Sequence, residues 1–88
     1  MIENRLEEFR LEIDSCDKQI VELLAKRFEI VKQIGKLKKE NNIPVIDSNR
    51  FQQVLEKVEN IAFMLGISKD TIKDIYNVIH KHSCELEK

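Results

Sequence analysis

Between Leu6 and Lys38 apolar residues return at every third or fourth position: Leu6, Phe9, Ile13, Cys16, Ile20, Leu23, Ile30, Ile34 and Leu37. This heptad-like spacing predicts one long amphipathic helix, from about Glu3 to about Asn41. At about 1.5 Å per residue such a helix is more than roughly 50 Å long, beyond the width of a small globule. The residues that follow are too few to cover its seam, so a second copy of the chain is the natural cover. An obligate homodimer is expected. One position breaks the pattern: Arg27 stands where the seam calls for an apolar residue. A guanidinium held there needs an anionic partner or a water-filled pocket.

Asn41, Asn42 and Pro44 interrupt the helix, because the residue before a proline disfavours helical geometry. Asp47 or Ser48 can cap a second helix, with a core face of Phe51, Val54, Leu55, Val58, Ile61, Ala62 and Leu65, ending at Gly66. Ser68 can cap a third, with Asp70 near its positive end and Ile72, Ile75, Tyr76, Ile79 and Leu86 as its core face. Gly35 lies inside the first helix at a cost of about 1 kcal/mol against alanine, unless close packing compensates. No segment alternates as a half-buried strand would. The expected fold is all-α: one very long helix and two shorter ones, forming a single domain over residues 1–88.

Composition narrows the function classes. The 88 residues carry 15 basic and 16 acidic side chains, a net charge of -1. That balance argues against a general electrostatic hold on nucleic acid or on an anionic membrane. The N-terminal stretch MIENRLEEF has no apolar run, so neither a leader nor a spanning helix is expected, and the location expected is cytoplasmic. Cys16 and Cys84 are far apart and form no CxxC; both are expected as free thiols, Cys16 as a small core residue.

Polar residues occur where the pattern asks for apolar ones. His80, Ser83, Cys84 and Glu87 form a stripe on the third helix at i, i+3, i+4 and i+7. On the first helix Arg27 and Lys38 are eleven residues apart, almost three turns. They share a face about 16 Å apart along the axis, within reach of one small anion. Arg10 points about 100° away from Arg27 and can join such a site only from a partner helix. Asp47 and Arg50, opening the second helix, can close it. Plainer readings exist for each feature. Arg27 could stack its stem on the core with its head in water. Lys32, Lys36, Lys38 and Lys39 could form a solvated face, and Ser83 could bond the carbonyl four residues back. His80 and Cys84 are two ligands, which do not make a metal site. Pattern alone ends at a helical dimer with a cationic internal pocket.

Three segments carry a more specific resemblance: FRLEIDSCDKQIVELLAKR (9–27), IGKLKKENNIPVIDSNR (34–50) and the tail around HKHSCELE (80–87). With the joint spacing of Arg10, Asp17, Arg27, Lys38, Pro44, Asp47 and Arg50, the chain resembles the all-helical (AroQ-type) chorismate mutases of phenylalanine and tyrosine biosynthesis. The resemblance implies an intertwined homodimer with two equivalent sites. Each takes Arg27, Lys38, Asp47, Arg50, Ser83 and Glu87 from one chain and Arg10 from the other. It further implies a concerted rearrangement of chorismate to prephenate, without cofactor or metal. In that scheme Arg10 and Arg27 hold the two substrate carboxylates. Lys38, Glu87 and Arg27 are the catalytic set, and Asp47, Arg50 and Ser83 position the substrate.

Two positions depart from the family pattern. Glu87 stands where the family commonly has a glutamine that donates to the ether oxygen, and a carboxyl group can donate only when protonated. Activity is therefore expected to fall as pH rises. Phe51 stands where the family often has a glutamate that binds the ring hydroxyl. The isochorismate pyruvate lyases share the fold and also lack that glutamate, so a lyase is the alternative within the fold. Retention of Asp47 favours the mutase. A non-catalytic helical interaction or regulatory module is the alternative outside it, and it requires Arg27→Ala and Lys38→Ala to be neutral or stabilising.

Overall fold

The computed structural model describes all residues, Met1–Lys88. Three helices follow in order, α1 (Ile2–Glu40), α2 (Ser48–Met64) and α3 (Lys69–Glu87), and there is no strand. The chain is all-α. It packs as two compact units, Met1–Ile30 and Val31–Lys88, with α1 running unbroken through the boundary.

The helix ends are set by local chemistry. Asn42 adopts a left-handed φ of 56°. Behind it the Ile43 amide donates to the Lys38 carbonyl at 2.8 Å and the Asn42 amide to Lys39 at 3.4 Å. These two bonds form a Schellman stop, which satisfies carbonyls that the end of α1 would otherwise leave bare. The same motif closes α2, with Gly66 at a φ of 76°. There the Ile67 amide donates to Ala62 at 2.9 Å and the Gly66 amide to Phe63 at 3.3 Å. Of the two candidate caps for α2, Asp47 serves, accepting from the Arg50 amide at 3.0 Å. Ser68 caps α3 by accepting from the Thr71 amide at 3.1 Å, and its hydroxyl also meets the Thr71 hydroxyl at 2.6 Å.

In the first unit the seam of α1 lies open. Leu6, Phe9, Ile13, Ile20 and Leu23 are between 48 and 66% exposed. Cys16 is a free thiol and is exposed as well, so within its own chain it is not the core residue its position in the seam suggests. The Arg5 guanidinium covers part of Phe9, 5.6 Å from the ring centroid. A lone helix has nothing in its own unit against which to bury a stripe.

The second unit holds the core. Val31 of α1 and Leu55 and Ala62 of α2 are buried, with Phe51, Val54, Val58, Ile72, Tyr76 and Ile79 half-buried around them. The predicted faces are narrower than the periodicity suggests, because Ile61, Leu65, Ile75 and Leu86 remain exposed. On α1 the covered face is also rotated. Val31 and Gly35 are buried and Lys38 half-buried, while the seam residues Ile34 and Leu37 are exposed. Each covered residue follows a seam residue by one position, about 100° round the helix. Thus α1 carries two adjacent faces here: a narrow one covered within its own chain, and the apolar seam beside it.

Candidate active site

The narrow face of α1 places a glycine and a lysine against the last turns of α3. At Gly35 a Cβ would lie 2.6 Å from the Glu87 Cα and 2.8 Å from the Glu87 carbonyl oxygen. Only a residue without a side chain lets the two backbones come so close. One turn further on, Lys38 Nζ lies 2.6 Å from Glu87 Oε1, and both side chains are largely covered, at 17% and 12% exposure. The contact is an ion pair by distance. The ammonium donates to the Val45 carbonyl at 2.9 Å. That bond ties the α1–α2 connection to the same point.

The polar stripe of α3 forms as its spacing predicts. Ser83 is buried at 5% exposure and is the one buried polar residue of the chain. His80, Cys84 and Glu87 flank it, half-buried. The His80 imidazole stacks on Phe51, with ring centroids 3.8 Å apart and planes within 11°. The Cys84 sulfur lies 3.6 Å from His80 Nε2 and 3.9 Å from Nδ1. Nowhere do three or more His, Cys, Asp or Glu side chains group as metal ligands would. A covered ion pair one turn from a buried serine is costly to desolvate, and in a small core it adds less stability than apolar packing. The arrangement suits a polar ligand better than it suits a core.

Of the residues singled out in the sequence, the second unit brings Lys38 and Glu87 into contact, with Ser83 buried one turn earlier on α3. Asp47 and Arg50 are exposed at the start of α2, joined by the capping bond from the Arg50 amide to the Asp47 carboxylate. Arg10 and Arg27 belong to the first unit. Arg27 is half-buried, whereas Arg10 is exposed and lies 3.7 Å from Glu7 on the same helix. Sequence reasoning missed the Val45 carbonyl, the Phe51–His80 stack and the burial of Val31. For Gly35 a signal was present, namely a glycine inside an otherwise strong helix; its partner was not legible.

An all-helical chain that gathers a lysine, a serine and a carboxyl group at one end of its core has the makings of a small-molecule site. The chain belongs to the chorismate mutase type II family, whose sequence profile matches residues 9–88. Among its relatives is the T-protein of Haemophilus influenzae, 39% identical over 70 residues, covering 80% of this chain and 19% of that protein. A bifunctional chorismate mutase/prephenate dehydratase of Buchnera aphidicola subsp. Schizaphis graminum is 36% identical over 85 residues, covering 97% of this chain and 22% of that protein. A chorismate mutase of Methanocaldococcus jannaschii is 26% identical over 88 residues, covering 100% of this chain and 88% of that protein. The chain thus spans about a fifth of the first two relatives and most of the third. No helix is long and apolar enough to cross a membrane.

Proposed function

We propose that this chain is a chorismate mutase, an isomerase that rearranges chorismate to prephenate in the cytoplasm as part of aromatic amino acid biosynthesis. The observation that carries the reading is the covered Lys38–Glu87 pair, 2.6 Å apart and seated on Gly35 beside buried Ser83. Chorismate has two carboxylates and an ether oxygen that gains negative charge as its C–O bond breaks. An ammonium has three protons to donate, and Val45 takes one of them. Another donates to the ether oxygen, a contact stronger in the transition state than in the ground state and therefore rate-enhancing. Glu87, whose carboxyl can donate only as the neutral acid, is the candidate second donor to that oxygen. The Arg27 fork grips one carboxylate in a fixed plane, and Arg10 of a second copy grips the other. Together they fold the enolpyruvyl group over the ring in a reactive pose. Asp47, Arg50 and Ser83 position the substrate, and the concerted step asks for no cofactor.

The functional unit is a homodimer acting as one domain in each copy. Its support is the second face of α1: Leu6, Phe9, Ile13, Ile20 and Leu23 in the first unit, and Ile34 and Leu37 in the second, are apolar residues of the seam that stay exposed in the single chain. An exposed apolar stripe of this length marks an interaction surface.

Loss of chorismate absorbance with the purified protein, together with identification of the product, tests the reading. Prephenate is expected. Lys38→Ala should keep its helical circular dichroism and lose about 100- to 1,000-fold in kcat, the usual cost of one donor to a developing oxyanion. A neutral Lys38→Ala would instead point to an interaction module, and pyruvate release from isochorismate would point to a lyase.

A further inference from the structure

We propose that His80, held flat against Phe51, is the group that recognises the ring hydroxyl of the substrate; the proposal rests on the chorismate reading above. After the arginines take the carboxylates and Lys38 and Glu87 the ether oxygen, the ring hydroxyl is the one polar group of chorismate left to satisfy. It both donates and accepts, so its best partner is a group able to do the same. Position 51, at the start of α2, offers no polar atom, because it is a phenylalanine. What Phe51 does offer is a face. The His80 ring lies on it at 3.8 Å and 11°, which fixes the plane of the imidazole. A neutral imidazole has one nitrogen that donates and one that accepts. The thiol of Cys84, 3.6 Å from Nε2, is a weak partner that a ligand hydroxyl outcompetes.

The placement fits one small ligand. His80 and Glu87 are the two ends of the same α3 stripe, seven residues and about 10 Å apart along the axis, with buried Ser83 between them. Both side chains are long enough to shorten that span to the size of a single substituted ring. A half-buried position in such a stripe would pack as well with leucine or isoleucine. The stacked histidine adds hydrogen-bonding capacity, which a packing role does not use.

The test compares chorismate with its analogue lacking the ring hydroxyl, for the wild-type chain and for His80→Ile. With chorismate, His80→Ile should lower kcat/KM by roughly tenfold, mainly through KM, as expected for one neutral hydrogen bond. With the deoxy analogue the same substitution should change little, because the interaction is already missing. Adding Phe51→Glu to His80→Ile should restore hydroxyl discrimination by supplying a carboxylate in place of the imidazole. Equal losses on both substrates would make His80 a packing residue and overturn the proposal, and so would no loss on either. A wild-type chain that converts neither substrate would remove the chorismate reading itself, and this inference with it.

Discussion

Glu87 makes two demands of one residue: its backbone must sit against Gly35, and its carboxyl must work beside an ammonium. Lys38 lies 2.6 Å from Oε1, which suits a carboxylate, whereas donation to an ether oxygen requires the protonated acid. Glu87→Gln supplies an amide donor at every pH. It should raise kcat/KM for chorismate above the wild-type value; an unchanged or lower rate would show that position 87 supplies no donor to the ether oxygen. The backbone demand has its own test. Gly35→Ala puts a methyl group 2.6 Å from the Glu87 Cα, and no side-chain rotation relieves a clash with backbone. The end of α3 must move away from Lys38, and a displacement of about 1 Å at a reacting centre can cost about 100-fold in kcat. Gly66→Ala is the matched control. Its methyl group meets nothing within 4 Å but strains a φ of 76°. It should cost stability, on the order of 1 kcal/mol, and leave kcat unchanged. The sequence marked Gly35 as anomalous and Glu87 as a site residue, but their contact joins positions far apart in the chain, which no local pattern encodes.

At the scale of elements, legibility followed the range of the forces. Helix stops and starts depend on a few neighbouring residues. Asn42 and Gly66 in the left-handed region, and Asp47 and Ser68 as caps, all act within five residues of the groups they satisfy. Such signals can be read directly. Ser68→Ala removes both the Thr71 amide bond and the hydroxyl contact at 2.6 Å. It should lower stability by about 1 kcal/mol, seen as a fall in Tm of roughly 4–8 °C by circular dichroism, with the site chemistry intact. Faces proved harder, because periodicity reports which residues are apolar and not what covers them. The stripe of Val31, Gly35 and Lys38 contains only one large apolar residue, so it carries almost no hydrophobic signal. Yet it is the face of α1 that the rest of its unit covers. The stronger seam of Ile34 and Leu37 next to it stays exposed. Charge and small size at Lys38 and Gly35 reduce the apolar pattern at the very residues that meet Glu87.

For the whole molecule, the two faces of α1 give the proposed dimer a consequence that can be measured without seeing the interface. Arg10 and Arg27 differ by about 100° around one helix, so one chain cannot readily aim both at a single ligand. If each site takes Arg10 from the partner, Arg10→Ala and Lys38→Ala damage different halves of every site. Each variant alone is then inactive at both of its sites. In a mixed dimer, however, the two lesions fall on the same site and leave the other whole. Unfolding the two inactive variants together and refolding them should give mixed dimers as about half the population. Each would have one intact site, so roughly a quarter of wild-type activity should return. If Arg10 served its own chain, every site in the mixture would carry a lesion and no activity would appear. A mass near that of the single 10.4 kDa chain in sedimentation would exclude the shared site before any mixing was attempted. Recovery of activity would show both that two copies pair through α1 and that each active site is built from both of them. It would also explain why α1 keeps an apolar seam that its own chain leaves uncovered.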